Sequence, residues 1–534
     1  MWRFGALPAG LYLAFFVLYT YPRITQLFSH FWGGEGDAQL SLWNLWWADY
    51  SLTHLHQSPW FTHYLHFPHG TTLVTHSLCL SGTVPGIPLV HLLGLTPAYN
   101  LLLLGSFVGS GLTTFWLAWR VTRSYPGALL AGFIFAFSNY HFAHAEGHLD
   151  LITLQWMPLF LLCWVALLQR STVWWGAGAA LSLTAVFFSD YYYALYAALA
   201  ALILTGAEAL RRRSSIMGAL RRHWKPLTVF ALTAFAAMGP ILVSYWRIAR
   251  TGAIPGHGSR AWSLDALGLF IPGGHWRFAA LTRGFWEQLP GNPHEKSVHL
   301  GLAVLALASV AVAQRRRSGN ALGRWLLLAG VAAVFALGPR LQVWGRIVAE
   351  VPMPYSVAIA AVPFLGTGGT PVRLAILVTL AMAIAAAWGA QHLLASRRGR
   401  WVFGGLLALL LVEYWPQNVP ATMPAVPPYV AVLAADPGGG AVLDLSRYGD
   451  TTKMYFQTIY RRPLLGGFIS RVPIPVRTQT EAILQRAASG DADGLAALGV
   501  GSVVVPADQP SPFPALVPIY RDRQVMLFTL APPQ

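Results

Sequence analysis

Charge is what this sequence has least of. Only 10% of its 534 residues are charged, and just 20 of them are acids. A soluble domain carries roughly 25% charged residues, so this chain lacks the polar surface that water requires. A soluble globular class is excluded. Cysteine is nearly absent: Cys79 and Cys163 stand far apart in apolar surroundings. That rules out a disulfide framework or a cysteine metal cluster and suits two small buried hydrophobes. The glycine fingerprint of a nucleotide-binding turn is missing as well. Gly438-Gly439-Gly440 precedes a strand-like run, the wrong order for a phosphate cradle. The first apolar stretch, 4–21, ends in Tyr19-Thr20-Tyr21-Pro22 with no small-residue cleavage site, so it reads as an uncleaved first span.

What is abundant is apolar length: 55% of the residues are hydrophobic. A helix crosses a bilayer with about 20 mainly apolar residues. The candidate spans are 4–21, 98–119, 126–141, 150–169, 172–188, 191–207, 226–246, 298–314, 322–339, 372–393 and 401–416, which makes about eleven crossings. The fold class expected is a polytopic α-helical membrane protein.

The net charge of +16 sits mainly in four connectors: Arg120 to Arg123, Arg211 to Lys225, Arg315 to Arg317 and Arg397 to Arg400. Basic connectors are retained on the cytoplasmic side. The charge is therefore topological, and no basic face with interleaved aromatics points to nucleic acid. Charge parity also assigns the segment 78–94, which is apolar but holds Pro85 and Pro88. Prolines interrupt helical hydrogen bonding. Read as re-entrant or interfacial, the segment lets all four arginine clusters fall inside. The stretches 22–97, 141–149, 189–190, 247–297, 340–371 and everything after 417 then face outward.

Two outer regions have texture. In 38–56, Leu40, Trp43, Trp47, Tyr50 and His54 recur at spacings of three or four, which predicts an amphipathic helix lying in the headgroup layer. After Pro416 charged residues return and strand-like pieces alternate with helix-like ones. This predicts a small extracytoplasmic α/β domain of about 110 residues, giving two domains, 1–416 and 417–534.

The outer acids and histidines are the candidates for chemistry. Glu35-Gly36-Asp37 follows the first span. A carboxylate at headgroup level can deprotonate an acceptor hydroxyl or help bind a cation beside phosphate. Asp37 can equally cap a helix beginning at Ala38. In His141-Phe-Ala-His144-Ala-Glu146-Gly-His148-Leu-Asp150, a helix would put His144 and His148 on one face. That spacing serves metal ligands, contacts to phosphate or sugar, or nothing beyond a span boundary. His63, His66 and His69 read as an ordered turn, and Asp190 with Tyr191 to Tyr193 as an aromatic rim or a sugar-stacking surface. Arg260, Asp265 and Glu295 occupy the long outer loop. Arg373 opens a span, where it would grip a lipid phosphate or snorkel to the interface.

Taken together, the first span, the acid-led outer loop, the many crossings and the outer C-terminal domain resemble the GT-C superfamily. These are integral-membrane glycosyltransferases that use polyprenyl-phosphate-linked sugars. The stretches GEGDAQLSLWNLWW, HFAHAEGHLDLITLQWMPL and KMYFQTIYRRPLLGGFISR are similar to those of bacterial members with no assigned substrate. The resemblance implies an enzyme of the bacterial plasma membrane with an outward-facing site. Its donor would be a lipid-linked sugar and its acceptor a glycan or lipid. Asp37, with Glu35 beside it, takes the catalytic place. His144, Glu146, His148, Asp150, Arg260 and Arg373 would contact substrate, with Glu146 or Asp150 as the second-loop acid. Many members have two adjacent first-loop acids; the glycine between Glu35 and Asp37 leaves dependence on a divalent cation open. A lipid or glycan transporter and a non-catalytic envelope-assembly protein are the competing classes.

Overall fold

The computed structural model describes residues 2–212, 216–254, 258–314, 320–349, 353–361, 368–423, 425–436 and 439–530. The arginine connector 315–317 lies outside them. Among the described residues five helices are long and apolar enough to cross a membrane: Leu95–Thr122, Leu149–Arg170, Tyr191–Arg212, Arg221–Arg250 and Pro371–Leu394. Five shorter apolar helices accompany them, among them Ala6–Thr20, Val173–Ser189 and Leu302–Ala313. The protein is a multi-pass, mainly helical membrane protein. Its chain divides into two compact units: 1–26, 101–239 and 256–419 form the first, and 27–100, 240–255 and 420–534 the second. The loop that follows Ala6–Thr20 thus groups with the C-terminal segment.

The first unit is organised around the helix Ala375–Leu394. Nearly every residue from Ala375 to Ala390 is buried, and the helix packs on Leu302–Ala313, Tyr125–Ala136 and Asn320–Ala336. Lipid tails are as apolar as leucine, so burial gives such helices little reason to associate. Close backbone approach between small residues does. Ala383, Ala385, Ala386, Ala387 and Gly389 supply that surface. A Cβ on Gly389 would collide with the Leu307 carbonyl, and one on Gly127 would meet the Ala387 carbonyl oxygen at 2.5 Å. Gly111 and Gly132 open a slot for the Tyr12 ring, whose hydroxyl donates to the Leu129 carbonyl at 3.1 Å. An acid enclosed near one helix end is paired with arginines. Glu208, on Tyr191–Arg212, accepts from Arg211 at 2.9 Å and from Arg324 at 3.3 Å.

The second unit holds a four-stranded sheet in the order Ala441–Asp444, Val500–Pro506, Val525–Thr529, Tyr520–Arg521. The first pair is parallel and the others antiparallel. The helix Asp37–Asp49, extended by a π turn at Tyr50–His54, packs against Asp450–Tyr460 and Leu80–Leu93. Trp43 Nε1 donates to Gln457 Oε1 at 2.8 Å, and Trp47 Nε1 to the Pro59 carbonyl at 3.0 Å. His76 Nδ1 accepts from the Ser470 amide at 3.1 Å, which leaves its Nε2–H to donate to Asn44 Oδ1 at 2.8 Å. Two of the stretches singled out in the sequence, GEGDAQLSLWNLWW and KMYFQTIYRRPLLGGFISR, therefore build one core.

Two expectations change. The helix at 38–56 does not rest one face on lipid: every residue from Ala38 to Asp49 is buried in protein. Tryptophans at helical spacing suit a wet lipid boundary and a protein core equally, and here the C-terminal segment covers them. Pro85 and Pro88 do not interrupt 78–94, because Leu80–Leu93 is one helix. Its length of about 21 Å at 1.5 Å per residue falls short of a bilayer core of about 30 Å.

If small residues set the helix packing, Gly389→Val should lower the melting temperature of the detergent-solubilised protein by several degrees. Overpacking of this kind costs about 1–3 kcal/mol. Gly330→Val is the control, since nothing lies within 4 Å of a Cβ there, and it should melt like the parent.

Candidate active site

The polar residues of the first unit converge on the connector that follows Tyr125–Ala136. Ser138 caps the short helix Asn139–His144 through its hydroxyl, and the chain then turns through Glu146 into Leu149–Ile152. A second short helix, Pro293–Lys296, comes from the 256–301 loop. Asn292 caps it, its Oδ1 accepting from the Glu295 amide at 2.9 Å. An Asn-Pro start is a strong helix signal, and it fixes His294 and Glu295 as neighbours.

Glu146 lies between two imidazoles. Its Oε2 is 3.1 Å from His294 Nε2 and its Oε1 is 3.5 Å from His275 Nε2. These donor atoms all fall within 4.8 Å of one another. The hydroxyl of Ser297 donates to the Pro293 carbonyl at 3.1 Å, so it accepts from His275 Nδ1–H at 2.8 Å. That tautomer leaves a lone pair on His275 Nε2, aimed at a carboxylate. The contact is repulsive unless the ring takes a second proton or a cation sits between. Burial alone would raise the Glu146 carboxyl, but in the protonated form hydrogen bonds from His275 and His294 outweigh it and hold the group at about 2. Two imidazoles and a carboxylate, with a Ser hydroxyl orienting one ring, are a donor set suited to a transition metal such as zinc. Such an ion would supply local positive charge.

Behind this group lies a buried pair. Arg373 Nε and Nη2 both donate to Glu295 Oε1, at 3.0 and 2.5 Å. The second carboxylate oxygen is 3.6 Å from His144 Nε2. His144 is fully buried and packs at a tilt against Tyr140, ring centroids 4.3 Å apart. Burial first, then the positive field of His148 and Arg373, pushes its pKa well below the usual range. The Tyr140 and Tyr193 hydroxyls meet at 2.5 Å. Asp190 caps the helix Tyr191–Arg212, accepting from the Tyr192 and Tyr193 amides at 2.9 Å. Burial raises its pKa to about 6, against the opposing field of Arg373.

The sequence-derived candidates separate into groups. His144, Glu146, His148, Asp150 and Arg373 all belong to this unit. His148 stacks edge-on against both His144 and His294, with centroids 5.1 and 6.1 Å away. Asp150 is half-buried and adds to the field on Asp190. Arg373 is neither a snorkelling side chain nor an empty fork: Glu295 takes its Nε–Nη2 edge. His141 is a core residue, stacked on Phe107 at 3.9 Å with both ring nitrogens close to backbone carbonyls. The 3₁₀ turn Arg260–Trp262 is described, but the Arg260 side chain lies outside the described residues. Asp265 is structural, accepting from the Leu267 and Gly345 amides at 3.0 and 2.8 Å. Glu35 and Asp37 are exposed residues of the second unit. Gly36, at φ 82°, is the N-cap and Asp37 the first helical residue, so Asp37 is not the cap. His275 and His294 were missed because no spacing rule links them to Glu146. The Asn-Pro-His-Glu start was the readable clue.

The fold this geometry sits in is GT-C-like. A solved arabinofuranosyltransferase, AftD from Mycobacteria, superposes with a TM-score of 0.55 at 15% identity, over 99% of this chain and 42% of its own. The chain thus spans about two fifths of that protein. An oligosaccharyltransferase, AglB from Archaeoglobus fulgidus, matches at 11% identity and TM-score 0.47, covering 95% of this chain and 69% of its own. ArnT from Cupriavidus metallidurans, bound to undecaprenyl phosphate, matches at 14% identity and TM-score 0.42, over 98% and 99%. The chain belongs to the family described as domain of unknown function DUF6311, whose model matches residues 10–415. No curated protein matches it.

Metal analysis tests the centre. The purified chain, dialysed against zinc, should retain about one equivalent per chain. Combined Glu146→Gln and His275→Ala should release it, since two of the three protein ligands are then lost. Equal retention by both proteins would show that these residues hold no ion.

Proposed function

We propose that this protein is a glycosyltransferase of the bacterial plasma membrane. It would move a sugar from a polyprenyl-phosphate carrier to an acceptor hydroxyl on the extracytoplasmic side. The observation that carries the reading is the Glu146, His275 and His294 centre, built on connector loops of a GT-C-like fold. A lipid donor suits the chain because nucleotide sugars remain in the cytosol, where the arginine connectors are expected.

The chemistry is displacement at the anomeric carbon. The acceptor oxygen forms the new glycosidic bond, the bond to the carrier phosphate breaks, and the configuration inverts. Asp37 takes the acceptor proton as general base, with Glu35 beside it. This role comes from the first-loop acid of the GT-C superfamily, whose place falls on Asp37, the first residue of Asp37–Asp49. The departing phosphate gains charge, and groups that meet that charge lower the barrier. A cation held by Glu146, His275 and His294 would supply most of it. Arg373, His148 and the second-loop acid Asp150 would serve substrate binding, Arg373 through the edge that Glu295 leaves open. His144 would act from behind, holding Glu295.

A transporter reading asks for ionisable groups deep within spans. The helix Ala375–Leu394 carries no charged residue, and between Asp150 and Arg170 the span Leu149–Arg170 carries none. Nothing in those helices favours it.

Membranes carrying Asp37→Asn should transfer labelled sugar from a polyprenyl-phosphate donor about 10²–10⁴-fold more slowly than the parent, the usual worth of a general base. Glu146→Gln should be similarly slow. Parent-like transfer by both would remove the proposed roles.

A further inference from the structure

The second unit contains a cavity of about 560 Å³, lined by none of the residues assigned to the transfer chemistry. Ligand pockets commonly measure about 300–1,000 Å³. Its wall joins the first outer loop, through His66, to the C-terminal segment, through 464–472 and the helix Ile474–Ala488. It lies at the carboxyl end of Ala441–Asp444, the edge strand of the parallel pair. Open α/β sheets bind ligands outside the carboxyl ends of their strands.

The chemistry of the wall selects a ligand class. Three acids (Asp444, Asp450, Glu481) face three bases (Lys453, Arg471, Arg477), so the cavity has no net charge to attract phosphate or a cation. Asp444 is already satisfied, accepting from the Tyr429 hydroxyl and the Ser446 amide at 2.9 Å. Arg477 and Glu481 lie one turn apart on an exposed helix face. Together they offer guanidinium donors and carboxylate acceptors, the combination that vicinal hydroxyls satisfy. Phe468 adds an aromatic ring, 41% exposed. Beside it, a Cβ at Gly466 would meet nothing within 4 Å.

His66 is the second, independent observation. It is 6% exposed. Thr480 donates its hydroxyl to the Val476 carbonyl at 2.9 Å, so it accepts from His66 Nδ1–H at 3.0 Å. Nε2 then carries a lone pair, and that atom is buried with no hydrogen-bond partner. A buried acceptor left unpaired costs about 1–3 kcal/mol. The His66 ring lines the cavity, so a small shift of the wall would let a ligand hydroxyl satisfy Nε2.

We propose that this cavity binds a neutral glycan, with Phe468 packing on a sugar face and Arg477, Glu481 and His66 Nε2 reading its hydroxyls. Only the identification of this glycan as the acceptor rests on the transferase reading; the binding does not.

The test is direct binding by the full chain in nanodiscs, using mannotriose, galactotriose and maltotriose as neutral probes and inorganic phosphate as the anionic one. At least one neutral trisaccharide should bind saturably. Phe468→Ala and Glu481→Gln should each weaken it at least tenfold with unchanged circular dichroism, and Gly330→Val should leave it alone. Absence of binding by all three sugars, tighter binding of phosphate, or unchanged affinity in both variants would overturn the proposal. The two readings fail separately. Sugar binding without any transferase activity retains this site and removes the reaction. Transfer abolished by Glu146→Gln in a protein that binds none of the sugars does the reverse.

Discussion

A charge cannot stand unpaired where water is excluded, and the pair Glu295–Arg373 is where this chain meets that constraint most fully. Removing one partner of such a pair costs about 3–5 kcal/mol, so the two residues are bound to each other's position. Arg373 opens the span that leads into the central helix Ala375–Leu394, and Glu295 belongs to the 256–301 loop. Their hydrogen bonds at 3.0 and 2.5 Å pin that loop to the most buried element of the unit. His294 precedes Glu295 and Ser297 follows it closely, so the pair also positions the imidazole of His294 and, through Ser297, that of His275. The order of dependence runs from small residues in the helix core, to a fixed helix start, to a fixed loop, to the centre around Glu146.

That order explains why so much polarity survives in a chain this apolar. Each enclosed acid has a defined partner. Glu208 joins three arginines. Glu413 accepts from the Leu302 and Ala303 amides, at 2.6 and 3.0 Å, and so stabilises the positive start of Leu302–Ala313. Glu146 differs in kind. It faces two ring nitrogens, one of them with its lone pair directed inward, and this is the arrangement that asks for a cation or an added proton. Polar groups held by packing are structure; a group left with a choice of occupant is a candidate for chemistry.

The membrane architecture was legible because apolar length is a local property. Ala6–Thr20, Leu95–Thr122, Tyr191–Arg212 and Ala375–Leu394 fall where the apolar runs place them. The cluster at 141–150 was legible as a polar group for the same reason, since its histidines and acids lie within ten residues. What stayed hidden is what depends on distant partners. His275 and His294 reach Glu146 from more than a hundred residues away, and no spacing rule carries that information. His141 looked like His144 in sequence, yet it stacks on Phe107 and is consumed by the core. The tryptophans of 38–56 showed a correct helical period but not their cover, because periodicity marks a buried face without saying what buries it. Pro85 and Pro88 misled in the opposite direction, their local penalty being absorbed within Leu80–Leu93.

The central claim is that the acid–histidine centre receives the phosphate of a lipid carrier. Cryo-electron microscopy of the full chain with a bound polyprenyl phosphate measures this most directly. The account expects the phosphate density against Glu146, His275 and His294, with an ion peak among them. Phosphate seated at the Arg211, Arg212 and Arg324 cluster, with the Glu146 centre untouched, would contradict it.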